Sequence, residues 1–198
     1  DEEMRVLENE ELTEVVNDQT QTLGNAFVHW AATPSLRLHD RETGKAILLH
    51  NFYVPAGGDE PDRTINRKFG HKLDFIQEMK MLSAEAEPNT GSILVGDLNI
   101  APLEHDVWSH KQMLKIVSHT PVETEGLLDI MRQGKWVDLM RQQVPASEKL
   151  YTWWSYRAKD WAAADRGRRL DHVWSSADLA PLLTGVDVLK EARGWTQP

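Results

Sequence analysis

The chain predicts an α/β fold, because strand-like segments alternate with segments whose apolar residues recur at helical spacing. Three stretches carry that reading. Phe69, Leu73, Ile76, Met79 and Leu82 recur every three or four residues and predict an amphipathic helix over 67–85. Ile93, Leu94 and Val95 form a short aliphatic run that predicts a strand buried on both faces. Thr120-Pro121-Val122-Glu123 has the pattern of a capping box with proline at the first helical position, and Gly134 supplies a stop. A helix is therefore predicted over 121–133.

The remaining elements follow in chain order. Residues 2–18 are acidic, with Leu7, Val15 and Val16 scattered among them, and read either as a helix or as a mobile arm. Residues 26–30 and 35–38 read as strands, the second alternating around Leu36 and Leu38. Arg41-Glu42-Thr43-Gly44 reads as a turn into a strand over 45–53, buried through Ile47, Leu48, Leu49 and Phe52. Pro88-Asn89-Thr90-Gly91 ends the first helix and turns into the aliphatic strand. Further strands are predicted over 150–154, 169–174 and 186–189.

Composition sets limits on function. At 198 residues one domain with a real core is expected. A net charge of −9 argues against a lysine-coated nucleic-acid binder, yet attraction to phosphates depends on the local field. From Arg157 to Arg169 five basic residues (Arg157, Lys159, Arg166, Arg168, Arg169) face two acids (Asp160, Asp165), the most basic window of the chain. The absence of cysteine removes disulfides, thiolate catalysis and cysteine–zinc sites. No apolar run reaches membrane-spanning length and the acidic N-terminus is unlike a signal peptide, so a cytoplasmic setting is expected. Among the eight histidines, His105 and His110 are five apart and no His-Glu-x-x-His pattern occurs. Most of them read as surface or capping residues.

Two segments carry chemistry. In Gly96-Asp97-Leu98-Asn99, the carboxylate and amide point the same way if the strand stays extended, an arrangement suited to a phosphate and an attacking water. The competing reading is that both residues cap the turn after a buried strand. Tyr151-Thr152-Trp153-Trp154-Ser155-Tyr156-Arg157 precedes Asp165-Arg166-Gly167-Arg168-Arg169-Leu170-Asp171-His172. Its tryptophans read as core filler, as surfaces for stacking on bases, or as one of each.

Together with the loop Asn51-Phe52-Tyr53-Val54-Pro55-Ala56-Gly57-Gly58, these motifs resemble the exodeoxyribonuclease III family of apurinic/apyrimidinic endonucleases, in the endonuclease/exonuclease/phosphatase superfamily. The match runs from about Gly44 to Pro198. It implies a four-layer α/β sandwich of two packed mixed sheets flanked by helices, with one partial domain over 44–198 and a poorly matched segment over 1–43. It also implies Mg²⁺ or Mn²⁺ as cofactor and a monomer acting on duplex DNA at abasic sites and 3′ ends.

By that resemblance, Asp97 orients or deprotonates the attacking water and Asn99 holds a phosphate oxygen, and both are placed at the metal. Tyr53 sets its phenol on the scissile phosphate. Asp171 supports a catalytic histidine, a place His172 cannot take because adjacent strand residues face opposite sides. Trp153, Trp154 and Arg157 lie on a loop that enters the DNA groove, and Arg166 is a further DNA contact. Ala56 departs from a polar residue of some relatives. The family's asparagine and Gln-Glu elements are absent from residues 1–43, and its Ser-Asp-His motif is absent before Pro198. The chain therefore reads as truncated at both ends, with nuclease activity possible in impaired form. Two alternatives stand beside this: a catalytically inactive fragment that only binds DNA, and a superfamily phosphoesterase acting on a phosphoinositide, a sphingolipid or RNA.

Overall fold

The computed structural model describes residues 35–39, 46–84, 91–157 and 160–195. The expectations for residues 2–18, 26–30 and 41–44 lie outside them, as does most of the turn at 88–91. Five strands form one mixed sheet: β1 (Ser35–His39), β2 (Ala46–Tyr53), β3 (Gly91–Asp97), β4 (Val137–Asp138) and β7 (Asp171–Ser175), in the order β1-β2-β3-β7-β4. β2 and β3 run parallel, while the other neighbours are antiparallel. A second, two-stranded antiparallel ribbon pairs β5 (Trp153–Trp154) with β6 (Gly167–Arg168). The helices are α1 (Arg67–Ala84), α2 (His110–Met113), α3 (Pro121–Gln133), α4 (Leu139–Gln143) and α5 (Trp161–Ala164).

The α/β class expected from the sequence is therefore the one observed, and α3 has the predicted bounds. The second sheet is small among the described residues. The strand expected over 150–154 contracts to Trp153–Trp154, and that over 169–174 becomes β7, which starts two residues later and ends one later. Residues 186–189 form no strand; they lead into a 3₁₀ turn over Lys190–Gly194. Alternating valines there have no paired strand among the described residues, and side-chain pattern without a partner ladder does not make a sheet.

Strand alternation divides the large sheet into two faces. Phe52, Leu94 and Trp174 join Phe75, Ile76, Met79, Leu127 and Ile130 in the main core beneath α1 and α3. On the opposite face Ile93 and Val95 are only half-buried, so β3 is not buried on both sides as its aliphatic run suggested. α1 and α3 pack against each other, bridged by Lys80 Nζ to Asp129 Oδ2 at 3.0 Å.

Two buried ionic clusters tie the loops to this core. Lys72 of α1, 0% exposed, pairs with Glu123 Oε1 at 2.6 Å and donates to the Asn99 carbonyl at 2.8 Å and the Ala56 carbonyl at 3.3 Å. Glu123 also accepts the Ser118 and Thr120 N–H groups, so the predicted capping box is the floor of an ion pair. In the second cluster, Asp106 takes both Arg169 (2.8 and 3.0 Å) and Arg141 (2.6 Å), while Arg169 also reaches Asp138 at 2.6 Å. Two acids match two guanidinium groups, so neither sign is left uncompensated.

Gly96 allows β2 and β3 to approach. Its φ of +143° lies where side chains rarely go, and a Cβ would sit 1.9 Å from the Phe52 carbonyl oxygen. Gly96→Ala is expected to cost about 3 kcal/mol or more by overpacking and strain. Urea denaturation showing a loss within about 0.5 kcal/mol would contradict this geometry. Lys72→Met, which strands Glu123 without a cation, is expected to cost about 3–5 kcal/mol. Adding Glu123→Gln should recover much of that, and a double variant as unstable as the single one would refute the pairing.

Candidate functional site

Register decides which side chains share the strand ends. Tyr53 on β2 stands opposite Asp97 on β3, and Asp97 stands opposite Asp171 on β7. Directly paired residues project from the same face of a sheet. A phenol and two carboxylates therefore form a row across three neighbouring strands, on the face opposite Phe52. Tyr53 is 65% exposed, Asp97 is half-buried and Asp171 is exposed.

Short backbone bonds hold the row. Val54 N–H donates to the Asp97 carbonyl at 2.9 Å, and Leu98 N–H donates to the Leu170 carbonyl at 2.9 Å. Thr152 Oγ1 accepts the N–H groups of both Leu170 and Asp171 at 3.0 Å. Thr152 thus links the start of β7 to the ribbon carrying Trp153.

Asn99 differs from the expectation that it continues an extended strand. Its φ is +52°, a left-handed conformation that asparagine tolerates better than most residues. Its N–H donates to Asp97 Oδ1 at 2.9 Å, and its side-chain Nδ2 donates to the Val54 carbonyl at 2.9 Å. The turn-capping and site readings are therefore compatible. Asn99 closes a turn around the Asp97 carboxylate and braces the loop after β2.

Burial pushes the Asp97 carboxyl above its ordinary range, and the charge of Asp171 adds to the rise. The Asn99 N–H and the Lys72 ammonium oppose it. Two like charges held side by side at a partly dry strand end form a strained pair that a cation or a proton would relieve.

The expected DNA contacts are distributed unevenly. Trp153 is half-buried, with the Arg168 guanidinium 5.5 Å from its ring centre. Arg166 is exposed and lies 4.6 Å over Trp108. These four residues, with Met113 and Ile116, line an open cavity of about 350 Å³. Arg157 is exposed, its N–H bonded to Ser155 Oγ.

Trp154 is placed differently from the DNA-facing position expected of it. It is 4% exposed, with Nε1–H donating to Asp165 Oδ1 at 3.0 Å, and it packs between Tyr151 and Trp161. Burial also removes Arg169 from the basic surface, because its charge is spent on Asp106 and Asp138. His172 faces the core as its alternation predicted, donating Nε2–H to the Ile100 carbonyl at 2.8 Å, and burial holds its pKa well below the ordinary value. His119 is likewise buried against the Ala101 carbonyl, so these two are not among the histidines that sit on the surface.

Sequence reading missed Lys72, Thr152 and Trp108. A lysine inside an amphipathic pattern looks like a solvated charge, and no local signal marks a threonine that binds residues eighteen positions away. Trp108 joins Trp153 only through the tertiary fold.

The raised Asp97 pKa has a definite sign for stability. The unfolded carboxyl releases its proton near 3.8, whereas the folded one holds it to higher pH. Folding stability is thus favoured below that value and is lost as pH rises through the folded pKa. Asp97→Asn should therefore melt higher than wild type at neutral pH, with the gap closing below about pH 4. Thermal melts across that range test it, and a wild type more stable than Asp97→Asn at pH 7 would contradict it.

Residues 12–195 match the model of the Endonuclease/Exonuclease/phosphatase family. The chain is 28% identical over 160 residues to an exodeoxyribonuclease of Bacillus subtilis, spanning 79% of this chain and 62% of that protein. It is 27% identical over 167 residues to exodeoxyribonuclease III of Haemophilus influenzae, spanning 80% of this chain and 61% of that protein. The chain thus spans a little over three-fifths of the length of these curated relatives. Among solved structures, the 3′-5′ exonuclease NExo of Neisseria meningitidis superposes with a TM-score of 0.66 at 25% identity, covering 77% of this chain and 57% of that one. An AP endonuclease of Archaeoglobus fulgidus superposes at 0.61 and 20% identity, covering 82% and 74%, which speaks to the fold alone. With the family model matched over nearly its whole length, the chain belongs to the endonuclease/exonuclease/phosphatase family.

Proposed function

We propose that this chain hydrolyses phosphodiester bonds in duplex DNA, at 3′ ends and abasic sites, as a monomeric cytoplasmic repair nuclease of the exodeoxyribonuclease III type. The observation that carries the proposal is the register that sets Tyr53, Asp97 and Asp171 side by side across β2, β3 and β7. The exodeoxyribonuclease relatives and the 3′-5′ exonuclease NExo support the DNA substrate.

Each group has a task that its surroundings suit. Asp97 has one oxygen held by the Asn99 N–H, and its carboxylate has a second to orient or deprotonate a water. Its raised pKa makes it a better base than an ordinary carboxylate. Asn99 spends one side-chain N–H on Val54, and an amide has a second to offer a phosphate oxygen. Tyr53, exposed at the strand end, donates its phenol to the scissile phosphate. Asp171, with its N–H fixed by Thr152, stays beside Asp97 as the partner acid.

The donors present fit a hard divalent cation, Mg²⁺ or Mn²⁺. They are oxygen donors only, and the Asp97 carboxyl is raised by burial and further by the charge of Asp171. Among the described residues no three acidic or histidine side chains converge to chelate an ion unaided. Mg²⁺ is commonly held by one or two carboxylates with substrate phosphate and water. Asp97, with the amide oxygen of Asn99, would hold it beside Asp171. When bound, such an ion would neutralise charge on the phosphate and on the departing oxygen.

Trp153 is the aromatic placed to stack where a base is missing, one residue from the threonine that braces Asp171. Arg157 and Arg166 meet phosphates. Trp154, packed between Tyr151 and Trp161, anchors the segment from inside.

An abasic-site duplex incubated with the chain and Mg²⁺ tests the reading. Strand incision by wild type, falling about 10²–10⁴-fold in Asp97→Asn while duplex binding persists, is the expected result. Salt-sensitive binding without incision would replace the reading with that of a DNA-binding module. Neither binding nor incision would end it.

A further inference from the structure

The turn Lys190–Gly194 reaches back across the aromatic segment. Arg193 Nε donates to the Trp154 carbonyl at 3.1 Å, and Nη2 donates to the Ser155 carbonyl at 3.1 Å. The same guanidinium lies 3.7 Å from the centre of the Tyr156 ring and 5.3 Å from that of Trp161. Lys190 adds a second strut. Its Nζ pairs with Asp165 Oδ1 at 2.8 Å, the oxygen that also accepts Trp154 Nε1–H, and it sits 5.0 Å over the Trp154 ring.

These contacts fall where the segment has little support of its own. β5 is two residues long, and only Trp153 and Trp154 pair with β6. Pairing ends at Trp154, and the two successive carbonyls of Trp154 and Ser155 both receive N–H groups of Arg193. A planar guanidinium supplies two N–H groups in a fixed fork while stacking on an aromatic face. A lysine ammonium can donate while sitting over a ring, as Lys190 does, but it has no planar fork to meet two successive carbonyls while lying flat on Tyr156. Tyr156 remains 75% exposed although Arg193 lies against its ring, so the phenol is held outward.

We propose that Arg193 is a positioning residue: it fixes the Trp153–Arg157 segment in the conformation that presents Trp153 and Tyr156 to nucleic acid. The part concerning nucleic acid rests on the nuclease reading above, whereas the clamp itself does not. Arg193 acts through the segment and touches none of Tyr53, Asp97 or Asp171. Its loss should thus weaken substrate binding and leave the chemical step intact.

The test compares wild type, Arg193→Lys and Arg193→Ala in the full chain by amide hydrogen exchange and by steady-state incision of an abasic duplex. Both variants should melt close to wild type yet lose protection at the Trp153–Arg157 amides by about tenfold or more. KM should rise about tenfold or more with kcat within about twofold, and lysine should fail to rescue either readout. Wild-type protection and KM in Arg193→Lys would overturn the proposal, because charge alone would then suffice. A fall in kcat at unchanged KM would overturn it too. If wild type itself cuts no DNA, the nuclease reading fails, while the exchange comparison still decides whether Arg193 holds the segment.

Discussion

The ammonium of Lys72 is the point on which the strand-end site depends. It is wholly buried, yet it meets four elements at once: its own helix α1, the loop after β2 through Ala56, the loop after β3 through Asn99, and the start of α3 through Glu123. A buried charge is costly unless it is paired and its protons are placed. That cost works as a geometric constraint, since any shift of one loop would leave a buried proton or lone pair without a partner. Asn99 passes the constraint on, because its backbone carbonyl faces Lys72 while its N–H holds the Asp97 carboxylate.

A second constraint of the same kind supports the aromatic ribbon. Asp106 and Asp138 hold Arg169, which lies between β6 and β7, and Arg169 N–H donates to the Asp106 carbonyl. Two residues along the chain stands Asp171. Between these clusters, the row of Tyr53, Asp97 and Asp171 is supported on both sides by buried ion pairs. Rigid support is what allows two carboxylates to stay adjacent despite their repulsion, which adds to the rise that burial gives the Asp97 carboxyl.

The motif from Asp165 to His172 shows how one stretch divides its labour. Read as a string, its arginines form a uniform basic patch. Folded, Arg166 lies over Trp108 and faces the cavity, Arg168 bonds to Ser118 Oγ and stacks on Trp153, and Arg169 is sealed in the interior. Strand alternation accounts for part of this, and the position of Asp106 for the rest. The adjacent tryptophans divide in the same way, Trp153 toward the cavity and Trp154 inward.

Local signals were sufficient for several elements of this protein. The apolar spacing from Phe69 to Leu82 gave α1 within a residue at its C-terminal end, and the Thr120–Glu123 capping box with Gly134 gave α3. Both depend on interactions within a turn or two of the chain. The Gly96-Asp97-Leu98-Asn99 motif marked the strand end for a related reason, since glycine, aspartate and asparagine reveal their backbone demands locally. Only the tertiary structure decided that Asp97 lies between Tyr53 and Asp171, that Lys72 is buried, that Trp154 and Arg169 turn inward, and that residues 186–189 make no strand. Each of those outcomes depends on partners tens of residues away, through sheet register, charge compensation or a missing ladder, and no short-range pattern encodes such distances.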